Sequence, residues 1–125
     1  MYLVGLKYGK NKNILYSDMK RINEIPFDSD RKMMTTIHKV GDKYRIITKG
    51  APDVLLKRCS KILMNKNIHN IQNYIYKIES LNNKMANGAL RVLAVAYLDV
   101  DELPNQISSK TIENNLIFVR INRND

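Results

Sequence analysis

Lys32-Met33-Met34-Thr35-Thr36-Ile37-His38-Lys39-Val40-Gly41-Asp42-Lys43-Tyr44-Arg45-Ile46-Ile47-Thr48 is the stretch that decides the fold. Thr35, Thr36 and Ile37 are β-branched and favour a pleated surface. Gly41-Asp42 is a turn signal between two such runs. The pattern predicts one strand over Lys32–Val40 and another over Lys43–Thr48. In the second, Tyr44, Ile46 and Thr48 share one face, and Arg45, Ile47 and Lys49 the other. So short a connection permits only antiparallel pairing.

Working outward, Arg21–Phe27 reads as a strand with Ile22, Ile25 and Phe27 as its apolar members. Tyr2–Tyr8, closed by Gly9, reads as the tail of a helix. Ala51-Pro52-Asp53 opens a short helix to about Arg58, since proline is tolerated in a first turn and Asp53 complements the helix dipole. After a polar loop at Asn65–Asn67, Ile68, Ile71, Ile75, Ile78 and Met85 recur at helical spacing, and Gly88 is a suitable stop. Leu90–Leu98 reads as a strand buried on both faces. Asp99–Asn105 is a loop and Leu116–Ile121 the last strand. The expected class is α+β, a mostly antiparallel sheet flanked by helices, in a single domain over residues 1–125.

Lys+Arg 21 against Asp+Glu 12 gives a formal net charge of +9, which attracts anions such as nucleotides, nucleic acid or acidic membrane surfaces. The basic residues are scattered, however, in a chain rich in Asn, Lys and Ile, a usage that an AT-rich genome produces without functional cause. The one cysteine, Cys59, rules out an internal disulfide and fits a reducing compartment. It falls on the expected short helix as a buried thiol. No signal peptide is evident, and the longest apolar run, Val92–Leu98, is too short to span a bilayer. The expectation is a soluble chain with no direct membrane insertion.

Gly5-Leu6-Lys7-Tyr8-Gly9-Lys10 imitates a P-loop but is one residue short and lacks the following Ser or Thr. His38 and His69 have no ligand-spaced partners, so each is expected to be a solvated polar residue and no metal site is expected. Asp28 and Asp30 adjoin Arg31 and Lys32 and read as a solvated charge cluster. No residue reads as catalytic. Three features remain. Phe27 stands at a strand end, either facing solvent, where a ring can stack a base, or buried in the core. Lys49 precedes Gly50, where backbone can approach a ligand or simply turn into a helix. Arg91 lies in an apolar strand and wants a partner, either a ligand or a salt bridge.

Three blocks in this order carry a family resemblance: PFDSDRKMM at Pro26–Met34, KGAPD at Lys49–Asp53 and ALRVLAVAY at Ala89–Tyr97. Together they resemble the nucleotide-binding domain of P-type cation-transporting ATPases, and the first block looks like the calcium-pump subclass. The resemblance covers about residues 1 to 119. It implies that Phe27 stacks on the adenine of ATP, that Lys49 lines the base pocket and that the Gly50-Ala51 backbone forms its floor. It further implies that Lys32 lies close to the nucleotide, that Leu93 packs beside the pocket, and that Arg91 reaches the phosphates and bridges to the phosphorylation domain. ATP, with Mg in the full-length enzyme, is the implied cofactor. The phosphorylation and actuator domains are the implied partners, on the cytoplasmic side of a membrane.

The departures are equally specific. The DKTGT, TGE and TGDGxND motifs are absent, so this chain cannot itself form an aspartyl-phosphate. The family's acidic stretch, which supplies a glutamate to the adenine site, is missing. Ser29 replaces a basic residue found in some relatives, and Arg120–Asp125 breaks from the family's glycine-rich continuation. The implied object is a fragment of a larger ATPase. Two competing readings are a basic nucleic-acid-binding module, disfavoured because the cations form no stripe, and a truncated domain that binds no nucleotide.

Overall fold

The computed structural model describes residues 20–86 and 91–124. The expected helix at Tyr2–Tyr8, the P-loop imitation and the Gly88 stop lie outside them. Seven strands form one sheet: β1 (Lys20–Asp28), β2 (Met33–Val40), β3 (Lys43–Gly50), β4 (Cys59–Met64), β5 (Asn67–Asn70), β6 (Arg91–Val100) and β7 (Leu116–Asn124). Their spatial order is β1-β2-β3-β6-β7-β4-β5. Every pairing is antiparallel except β4 with β7, which is parallel. The helices are α1 (Pro52–Leu56), α2 (Ile75–Ala86) and the single turn α3 (Ser109–Ile112), with a 3-10 turn at Ile71–Asn73. This is the expected α+β class.

The decisive hairpin forms as read, with Val40 opposite Lys43 and Ile37 opposite Ile46. Gly41 takes φ 61 in the turn, a backbone region that glycine enters without a side-chain penalty. On one face of the sheet, Met33, Ala94, Ala96, Leu116 and Phe118 pack with Leu55 and Leu56 of α1 and Ile78 of α2. The short side chains of Ala94 and Ala96 let the helices sit close to the sheet. Farther along that face, Ile37, Ile46 and Ile112 form a second buried group. The opposite face buries Ile47, Val95, Tyr97, Ile117 and Val119. The centre of β6 is thus buried on both sides, as its unbroken apolar run requires.

Several expectations are corrected. The helix expected from Ile68 begins only at Ile75, because Asn65 and Lys66 both take positive φ, 51 and 68, and turn the chain into the β4–β5 hairpin. Ile68 therefore lies exposed on edge strand β5. Asn70 then accepts the Gln72 N–H at 2.9 Å and opens a 3-10 turn that buries Ile71. Cys59 opens β4 instead of lying on a helix, and its partly buried thiol donates to the Leu55 carbonyl at 3.3 Å. His38 is buried, not solvated, and its Nε2 meets Thr36 Oγ1 at 2.9 Å. The last strand continues through Asn124, so the atypical tail pairs with β6 from Arg120 to Asn124. The loop expected at Asp99 starts after Val100. Among the described residues, no helix is long and apolar enough to cross a membrane.

Two outcomes are expected. Ile37→Ala, at a fully buried site, should cost about 2–5 kcal/mol in chemical denaturation, while Ile22→Ala, on the exposed part of β1, should stay within about 0.5 kcal/mol. Burial pushes the Cys59 thiol up to about 12. At pH 8 only roughly one thiol in ten thousand is then ionised, so alkylation by iodoacetamide should be far slower than for an unfolded control. Because the unfolded thiol ionises near pH ~8.5, the stabilisation from this group is complete below that pH and is lost as pH rises toward 12.

Candidate functional site

Phe27 is exposed because β1 bulges beside it. Ile25 pairs with Thr35 and Asp28 pairs with Met33, so three steps on β1 face two on β2. Pro26 lies inside the irregular stretch, where its missing N–H costs no ladder bond. The bulge breaks the inward–outward alternation. It leaves the Phe27 ring 61% exposed, which removes the core alternative for this residue.

The loop that follows is held by its own polar groups. Asp28 accepts the Asp30 N–H at 2.9 Å through its side chain, and the Asp28 carbonyl accepts the Lys32 N–H. Asp28, Ser29 and Asp30 are exposed, as a solvated charge cluster requires. Lys32 takes φ 60, an uncommon conformation for a residue with a Cβ. This conformation points its carbonyl at the end of β3, where it accepts the Ala51 N–H at 3.1 Å. Gly50 lies directly beneath. A Cβ there would stand 2.5 Å from the Lys32 carbonyl oxygen and 2.6 Å from Met33 Cγ. Its backbone φ lies outside the left-handed region, so close approach, not conformational freedom, demands glycine. Ala51 then serves as the extended N-cap of α1.

The register places the remaining candidates. Lys49 is opposite Met34 on β2 and opposite Val95 on β6. Leu93 shares the face of Val95 one alternation earlier, so Lys49 and Leu93 are diagonal neighbours. Arg91 lies one alternation farther along the same strand, paired in backbone register with Asn124. The structure therefore gathers all seven candidates at one end of the sheet. Phe27 comes from the close of β1, Lys32 from the turn just before β2, Lys49 and Gly50 from the close of β3 with Ala51 just after it, and Leu93 and Arg91 from the start of β6. Direct contact is seen between Lys32 and Gly50-Ala51; Leu93 is half-buried and Lys49 exposed.

Three groups escaped the sequence reading. Arg120 of β7 pairs with Val95 and so lies in the same cross-sheet row as Lys49. Arg31, read as one more solvated charge, forms a salt bridge to Glu113 at 2.9 Å, with the arginine side chain 13% and the glutamate 0% exposed. No local pattern signals that pair, because 82 residues separate its members. An exposed ring and lysines at the same end of the sheet suit a planar base with an anionic tail. Among the described residues, no group of three or more His, Cys, Asp or Glu side chains is placed to hold a metal ion.

Residues 2–121 match the family described as P-type ATPase, cytoplasmic domain N. Calcium-transporting ATPase 1 of Bacillus cereus is 37% identical over 123 residues, which cover 95% of this chain and 13% of the relative. Calcium-transporting ATPase of Bacillus subtilis is 44% identical over 93 residues, 73% of this chain and 10% of the relative. A probable cation-transporting P-type ATPase of Mycoplasma genitalium is 39% identical over 101 residues, 79% of this chain and 10% of the relative. The chain thus spans 10–13% of the length of these relatives.

Gly50→Ala should destabilise the chain by about 1–3 kcal/mol in urea titration, because the new methyl forces the Lys32 carbonyl away and opens its bond to Ala51. Unchanged stability would mean that the loop does not rest on Gly50.

Proposed function

This chain belongs to the family of P-type ATPase cytoplasmic N domains, and we propose that it binds ATP at the sheet end where β1, β2, β3 and β6 converge. The observation that carries this reading is the exposed Phe27 ring at the edge of a loop locked onto Gly50-Ala51. Phe27 stacks on adenine, Lys49 lines the base pocket, and the Gly50-Ala51 backbone is its floor. Leu93 supplies an apolar wall. Lys32 lies near the nucleotide, and Arg91 reaches the phosphates.

The task of the site is positioning. Stacking and a few cations hold the nucleotide by its base, leaving the γ-phosphate to extend toward an aspartate on a separate phosphorylation domain. Magnesium, arriving with ATP, supplies charge neutralisation at the phosphates. The residues of this chain contribute orientation and favourable charge, with no nucleophile or proton transfer of their own. In the parent protein, the phosphorylation and actuator domains are the partners, calcium the transported ion and the cytoplasmic side of a membrane the location. The names of the relatives support that reading.

A site with one stacking ring and no phosphate cradle should bind in the millimolar range, about 4 kcal/mol. Titrating the isotope-labelled chain with ATP should give saturable NMR shifts near Phe27, Lys49 and Gly50. Phe27→Ala should lose about 1–3 kcal/mol of that, which weakens binding roughly 5- to 150-fold. Absence of saturable shifts in a folded chain, equal shifts in the variant, or a sub-micromolar affinity would each count against the proposal. An unrelated oligonucleotide that binds with steep salt dependence and ignores Phe27 would point to charge-driven nucleic-acid binding instead.

A further inference from the structure

We propose that Glu113 is a positioning residue for the nucleotide loop, acting through Arg31 to hold Pro26–Lys32 in the shape that presents Phe27 and Lys32. This rests on the ATP-binding reading above. Glu113 is completely buried, yet every side of its carboxylate is met. Arg31 donates from Nε at 2.9 Å and from Nη2 at 3.3 Å. Ser109 Oγ donates at 2.6 Å, and Thr35 Oγ1 donates from the sheet. Thr35 is in turn bonded to Thr48 at 2.8 Å, which ties the carboxylate to β2 and β3 together.

The second function of the guanidinium makes this more than a stabilising pair. Arg31 Nη2 also reaches the carbonyl of Pro26 at 3.3 Å, the residue immediately before Phe27. One planar fork therefore spans the loop from its far side to its near side, and Glu113 fixes the plane of that fork. A second tertiary anchor of the loop is the Lys32 carbonyl on Ala51. Two clamps on opposite flanks leave the segment between them little freedom. Apolar side chains of similar volume could fill the space around Glu113 without the desolvation penalty of a buried charge. What a carboxylate adds is a fixed direction for Arg31.

Glu113 owes its own placement to α3. Ser108 and Thr111 form a reciprocal capping box at the start of that single turn. Glu113 is its C-cap, and Asn115, at φ 56, turns the chain directly into β7. The Leu116 N–H is then held by the Arg58 carbonyl at 2.9 Å. The carboxylate is thus anchored to an interior strand of the sheet before it touches the loop.

The test compares Glu113→Gln, Arg31→Lys and their double variant with Ile71→Val, a buried substitution remote from the loop. Each is followed by thermal denaturation, ATP titration and amide hydrogen exchange. Glu113→Gln and Arg31→Lys should each weaken ATP binding about tenfold, since loss of orientation acts on the base contact. The double variant should lose little more than either single one, because both break the same link. Amides of Phe27–Lys32 should exchange faster in both, while those of β6 keep their protection. Ile71→Val should lower the melting temperature yet leave ATP affinity within about twofold. A folded Glu113→Gln chain that binds ATP like the wild type overturns the proposal while the ATP site stands. Should Glu113→Gln fail to fold, Arg31→Lys decides alone, and unchanged affinity overturns the proposal. A wild-type chain without saturable ATP binding removes both the site and the positioning role.

Discussion

The Glu113 carboxylate, sunk beneath the sheet end and met by Arg31, Thr35 and Ser109, is the constraint on which the candidate site depends. A charge buried so completely is tolerable only when its acceptor positions are filled with good geometry. That requirement disciplines everything around it. Arg31 must leave the solvent-facing cluster of Asp28 and Asp30 and turn inward. Thr35 and Thr48 must face each other across β2 and β3. Removing either member of such a buried pair costs about 3–5 kcal/mol, because the remaining group is stranded.

Around that pair, the backbone solves a packing problem at very short range. Lys32 sits close enough to Gly50 that even a methyl would collide with its carbonyl. The left-handed conformation at Lys32 carries a local energetic cost, offset here by the bond to Ala51 and by the anchored arginine. The β1 bulge at Pro26 belongs to the same arrangement, since it frees the Phe27 ring from the sheet's alternation. The result is a hydrogen-bonded frame beneath an exposed aromatic ring.

The rest of the molecule serves mainly as a platform. Helices α1 and α2 cover one face of the sheet through Leu55, Leu56 and Ile78. On the other face, Arg45 forks Asp99 at 2.7 and 2.9 Å while lying 5.1 Å over the Tyr97 ring. These contacts hold the far end of β3 against β6. At the near end the same two strands carry Lys49 and Leu93.

Local pattern made the β2–β3 hairpin legible, because alternation, β-branching and a Gly-Asp turn all act within a few residues. It likewise exposed the apolar run of β6, the proline at the start of α1, and Phe27, Lys49, Gly50 and Arg91 as residues out of keeping with their surroundings. The β4–β5 hairpin was hidden because Ile68 and Ile71 fit helical spacing as well as they fit a strand followed by a 3-10 turn. His38 looked solvated, yet it is buried and bonded to Thr36. Glu113 looked like any surface glutamate near the end of the chain. The sequence by itself thus determined five of the seven strands, β1, β2, β3, β6 and β7, and singled out Phe27, Lys49, Gly50 and Arg91 as candidates for a site. Only the tertiary structure decided that Phe27 faces outward, that Arg31 faces inward and that Glu113 is buried. Those outcomes arise from contacts between residues far apart in the chain, such as the 82 positions from Arg31 to Glu113, and no local periodicity records them.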